Sequence, residues 1–118
     1  MTKDSKNWAG HWQLGVNPDL ERIISTDLIK VFNDFWSFQK LNEKSKSTQN
    51  RYSNALFLLG AYFVEEACDN EDEFISALSY LSDETLKYGG PLIGYADEQL
   101  QNEIDLVCRK LYAFIKKS

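Results

Sequence analysis

The sequence predicts an all-α protein, four or five helices packed as a bundle with an aromatic-rich core and an N-terminal arm. Three observations lead there. Apolar residues recur at helical spacing along most of the chain and nowhere alternate with period two for long. The two prolines, Pro18 and Pro91, stand at helix boundaries rather than inside the apolar stripes. The 16 aromatics (3 Trp, 6 Tyr, 7 Phe) fall mostly on those stripes, which supplies a core of bulky side chains. A chain of 118 residues makes one domain, and at this size folding buries roughly two-thirds of the surface, so one core holds without staples.

The elements follow in order. Residues 1–16 form an arm carrying Trp8, His11 and Trp12, expected either to cover one end of the bundle or to pack on a neighbouring subunit, where Trp is favoured. Asn17 then reads as an N-cap and Pro18 as the first helical residue, where the missing N–H costs nothing. From Leu20 the stripe runs through Ile23, Ile24, Leu28, Val31, Phe32, Phe35 and Phe38 to an end near Leu41. Ser25-Thr26-Asp27 is able to re-cap this stretch, so one continuous helix and two shorter ones both remain open. After a loop over 42–46, Ser47 caps a helix from about Thr48 to Ala67 that is apolar around much of its circumference, as central helices are. Asn70 with Glu73 resembles a capping box opening a shorter helix with Phe74, Ile75, Leu78 and Leu81. Ser82 opens a further turn or two, ending at Tyr88 with Gly89 as the residue beyond the cap. The last helix, about Ala96 to Lys116, has acids Asp97 and Glu98 in its first turn and Lys116 and Lys117 at its end, both favourable to the helix dipole.

Charge is the most informative feature. The formal net charge is −5, which by itself argues against a non-specific binder of nucleic acid or of anionic membrane. The acidity is local, however. Glu65, Glu66, Asp69, Glu71, Asp72 and Glu73 are six acids in nine residues; without them 12 acids face 13 bases. Acids in the first turn of the following helix are stabilising, but Glu65 and Glu66 close their own helix, where each costs roughly 0.3–1 kcal/mol. The other end of that helix is basic, with Lys40, Lys44, Lys46 and Arg51 against Glu43. A rise of 1.5 Å per residue separates the two patches by roughly 30 Å.

Catalytic sets are missing. With one histidine, His11, there is no pair for a di-iron or zinc site, and every Ser–His or Cys–His arrangement has to pass through that residue. Cys68 and Cys108 lie outside any CxxC motif and read as reduced, buried thiols, so no metal and no cofactor is implied. The loop Gly89-Gly90-Pro91-Leu92-Ile93-Gly94-Tyr95 lacks the Lys-Ser/Thr of a phosphate-binding loop. Gly89, Gly90 and Tyr95 remain candidates for closing an aromatic-lined ligand pocket. No run approaches the roughly 18 apolar residues of a membrane span. The polar start Met1–Asn7 lacks the apolar run of a signal peptide, so the expected address is the cytoplasm.

Residues 35–62, from Phe35-Trp36 through Ser47-Thr48-Gln49-Asn50-Arg51-Tyr52 to Leu59-Gly60-Ala61-Tyr62, resemble the helical core-binding domain of tyrosine recombinases, on a Ser-Thr-x-x-x-Tyr start covering about a quarter of the chain. No counterpart of that family's catalytic domain follows, and DNA binding is not carried over. The order of Gly89-Gly90-Pro91-Leu92-Ile93 and Cys108-Arg109-Lys110-Leu111-Tyr112 also resembles small bacterial helical proteins, a likeness that implies no activity.

The functional expectation is a non-catalytic protein–protein interaction module that self-associates, with an acidic inhibitor or immunity-type protein meeting a basic partner as its specific form. A small-molecule binder and a nucleic-acid accessory protein working through Lys40–Arg51 are the alternatives, the latter disfavoured by net charge.

Overall fold

Three long helices carry the described part of the chain: α1 over Pro18–Phe38, α2 over Lys46–Asp69 and α3 over Glu98–Lys117. The computed structural model describes residues 12, 15, 17–69, 81, 87–91 and 97–117. Among these there is no strand, and the protein is all-α. The expected short helices over 70–81 and 82–88 lie almost wholly outside the described residues, as do Trp8, His11, Glu71, Asp72, Glu73 and Tyr95.

α1 begins where the Asn-Pro pair places it. The Asn17 side chain accepts from the Leu20 N–H at 3.3 Å, and Pro18 is the first helical residue. Glu21 completes the cap from inside: it is fully buried and accepts from the N–H groups of Asn17 at 2.7 Å and Gly15 at 3.1 Å. Two charge-assisted hydrogen bonds and the positive end of the helix offset the cost of burying that carboxylate. The helix runs unbroken through Ser25-Thr26-Asp27, because Ile24, Leu28, Val31, Phe32 and Phe35 form one buried stripe that a break would misalign.

α1 ends three residues earlier than the periodicity suggests. Lys40 takes the left-handed conformation (φ 54°, ψ 42°) and turns the chain into a 3-10 turn over Leu41–Glu43. The turn is pinned from both sides: Leu41 is buried, and the Trp36 Nε1–H donates to Asn42 Oδ1 at 2.8 Å. Ser45, rather than Ser47, caps α2, its Oγ accepting from the Thr48 N–H at 3.2 Å. Asp97 likewise is the cap of α3 rather than part of its first turn, accepting from the Leu100 N–H at 2.8 Å.

α2 is the central helix and packs against both others. Ala55, Leu56, Leu59, Gly60, Phe63, Val64 and Ala67 are buried along it, and Ile104, Val107, Cys108 and Leu111 of α3 join the same core. Gly60 matters most to that packing. A Cβ built there would stand 2.2 Å from Cζ2 of Trp12, so the indole lies directly on the helix backbone. Its Nε1–H donates to the Phe57 carbonyl at 3.1 Å, and its ring meets Phe32 edge-on at 6.5 Å. Trp12 is 1% exposed within a single chain. It is thus part of the chain's own core, which corrects its candidacy as a contact for a neighbouring subunit.

Candidate functional site

The turn after α1 assembles the basic end. Because Lys40 reverses the chain and Ser45 caps the next helix, Lys40 and Lys44 stand exposed on one short connection, with Lys46 exposed at the first position of α2 and Arg51 following in its second turn. Arg51 Nε lies 3.8 Å from Glu103 Oε1 of α3, an ion pair open to solvent on the arginine side.

The tertiary fold adds Lys116 and Lys117, whose place in the last turn of α3 by itself marks them only as helix-dipole partners. The ring of Phe114 near the end of α3 lies 4.9 Å from that of Phe38 and 5.9 Å from that of Phe35. This docks the last turns of α3 against the end of α1 and brings Lys117 Nζ to 5.9 Å from the Phe38 ring centroid, within cation–π range. Lys116 lies beside it in the sequence and over the Tyr112 ring at 5.5 Å. Phe38 itself remains 50% exposed. The sequence signal for this cluster is present in the basic last turn of α3; its meeting with Phe38 is not, since Phe38 and Lys117 are 79 positions apart.

The acidic end is built on the last turns of α2. Tyr62, Glu65, Glu66 and Asp69 follow the i, i+3, i+4, i+7 spacing and share one side of the helix. Glu65 and Asp69 are exposed and Glu66 is half-buried. No basic residue occupies the last turn, so the helix dipole adds to the negative potential there. Burial pushes the Tyr62 phenol above its ordinary range, aided by the Glu66 carboxylate, which also takes its hydrogen bond, and by Glu65.

The described start of the Gly-rich loop, residues 89–91, is held against α3. Asp105 Oδ1 accepts from the Gly90 N–H at 2.8 Å and from Gln101 Nε2 at 3.1 Å, while the same Nε2 donates to the Pro91 carbonyl at 2.9 Å. A Cβ at Gly90 would come within 2.8 Å of Cys108 Sγ and 2.9 Å of Ile104 Cγ2. Gly90 is therefore required for close approach to α3, and its N–H is committed to Asp105. Cys68 and Cys108 are both free thiols. Burial pushes Cys108 up to about 12, with Asp105 adding to the shift and Arg109 opposing it, which makes it a poor nucleophile.

A groove of about 260 Å³ lies between α2 and α3, lined by Thr48, Arg51, Tyr52, Glu103, Leu106 and Val107. Among the described residues no group of three or more His, Cys, Asp or Glu is placed to hold a metal ion. No helix of the described residues is long and apolar enough to cross a membrane.

Fold and surface thus define the class: an all-α protein with opposite charge at the two ends of its central helix. No protein-family model, curated protein or solved structure matches the chain.

Proposed function

We propose that this chain is a non-catalytic interaction module, acting in the cytoplasm of a bacterium and working through protein–protein contact, including contact with copies of itself. One observation carries the reading: α2 joins an exposed basic end, Lys40, Lys44, Lys46 and Arg51, to an acidic end, Glu65, Glu66 and Asp69. Like charges gathered at each end of one helix repel within the monomer, and a partner of opposite sign relieves that repulsion. An acidic inhibitor or immunity-type protein, seating the Glu65–Asp69 end on a basic partner, is the specific form. In this reading one or two further short helices, expected over 70–81 and 82–88, complete a bundle of four or five.

Affinity capture with the tagged chain from its native host, at low and at high salt, tests it. The expected result is a protein, either another copy or a basic chain, retained at low salt and released at high salt. Bait that retains no protein at any ionic strength refutes the reading.

A second reading rests on the groove at Thr48, Arg51, Tyr52 and Leu106. Its volume lies just below the roughly 300–1,000 Å³ of ligand pockets, and it joins a guanidinium to an aromatic and aliphatic wall. Small carboxylates with an apolar tail fit that chemistry where they displace Glu103 from Arg51. A thermal-shift screen of such acids decides, since a ligand that prefers the native state raises the melting point, and Arg51→Ala abolishes the shift if the groove is the site.

A further inference from the structure

Phe38 is an exposed aromatic in an unusual setting. Half of its surface faces solvent although Phe114 stands against one side of its ring, and the charges around it are mostly of one sign. Lys117 lies over the ring, Lys40 follows two residues later, Lys44 occupies the same connection and Lys46 opens α2. Among the described residues none of these four lysines forms an ion pair. The acids nearest in the sequence are Asp34, one turn earlier on α1, and Glu43 in the 3-10 turn, both exposed. An exposed apolar ring with one cation over it and further cations on the connection that follows is suited to a partner face that offers a ring and carboxylates together.

The chain owns such a face. Tyr62, Glu65, Glu66 and Asp69 share one side of α2. From Lys46 to Glu66 is roughly 30 Å along the helix, too far for the two faces to meet within one molecule. We infer that the Phe38 face docks the Tyr62–Asp69 face of a second copy of this chain. The inference rests on the interaction-module reading and names its surface and its partner. A twofold pairing makes the contact twice, basic face on acidic face and the reverse, so a closed dimer is the smallest assembly that satisfies both ends. A polyanion such as nucleic acid would satisfy the Phe38 face alone, and it would be repelled by the acidic end and by the net charge of −5.

Sedimentation velocity on the purified full chain, at about 0.02 M and about 0.5 M salt, tests the contact. The wild type associates at low salt and dissociates at high salt. Lys40→Glu/Lys44→Glu/Lys117→Glu leaves both ends acidic, and Glu65→Lys/Glu66→Lys/Asp69→Lys leaves both ends basic. Each variant alone sediments as a monomer, with self-association weakened by about tenfold or more, whereas an equimolar mixture of the two associates. Far-UV circular dichroism establishes that both are folded. Lys44→Glu, a single change on the exposed connection, gives a weaker effect in the same direction without touching the core. A wild type that is monomeric at both salts overturns this inference and leaves the broader reading to the capture experiment. Association that persists through both charge reversals overturns it too, as does a mixture of folded variants that stays monomeric.

Discussion

Gly60→Ala is the sharpest test of how the arm is attached. A helix interior ordinarily gains about 1 kcal/mol from this change, because alanine lacks glycine's entropic cost. Here the new methyl would stand 2.2 Å from Cζ2 and 2.3 Å from Cη2 of Trp12, less than any carbon pair tolerates. Either α2 gives way or the indole leaves. Local overpacking of the first kind costs about 1–3 kcal/mol. Expulsion exposes a ring that buries about 150–250 Å², worth about 4–6 kcal/mol at 25 cal/mol per Å² as an upper bound. It also breaks the Nε1–H bond to the Phe57 carbonyl, worth about 1 kcal/mol. With relaxation and the propensity gain included, the expected loss is about 2–4 kcal/mol, a fall in melting temperature of about 10 °C. Urea unfolding followed by far-UV circular dichroism measures it. The decisive measurement is the same change in a Trp12→Ala background. With the indole gone, Gly60→Ala becomes stabilising by up to about 1 kcal/mol, a reversal of sign that only direct contact produces. A Gly60→Ala protein as stable as the wild type, with Trp12 intact, refutes the docking.

Three further predictions follow from other contacts. Lys40→Gly relieves a left-handed backbone at φ 54° and stabilises by about 0.5–1 kcal/mol; a lowered melting temperature contradicts the turn geometry. Asp105→Ala leaves the Gly90 N–H without its 2.8 Å acceptor, destabilises by about 1–3 kcal/mol and speeds hydrogen exchange at Gly90, so unchanged exchange would show the loop is not held there. The Cys108 thiol is pushed up to about 12 against an ordinary value of 9.0. Between those values the unfolded chain releases a proton that the native chain keeps, so this contribution to stability is present below about 9 and declines as pH rises toward about 12. The raised Tyr62 acts in the same direction. Urea midpoints from about pH 8 to about pH 10.5 fall more steeply for wild type than for Cys108→Ala; equal slopes contradict the burial.

What was readable in advance were the features that depend on neighbours along the chain. Asn17-Pro18 started α1 as expected, since a cap and a fixed φ are local properties. The apolar spacing marked all three long helices to within a few residues, because a helix face repeats every few positions whatever it packs against. The boundary errors have local causes as well. Ser45 and Ser47 are equally good caps by residue type and only the fold selects Ser45, while Lys40 adopts a conformation that non-glycine residues seldom take. Gly60 carried a signal that went unused, since a glycine inside so apolar a helix implies that something approaches its backbone closely.

Sequence alone determined the helical class and the separation of charge at the two ends of α2, which are set by composition and period. Tertiary structure alone decided which distant residues meet. It placed Trp12 in the notch at Gly60, buried Glu21 beneath the Asn17 and Gly15 amides, and set Lys117 over Phe38. Periodicity says which face of a helix is apolar, whereas the partner that covers that face depends on shape and volume summed over all the helices at once.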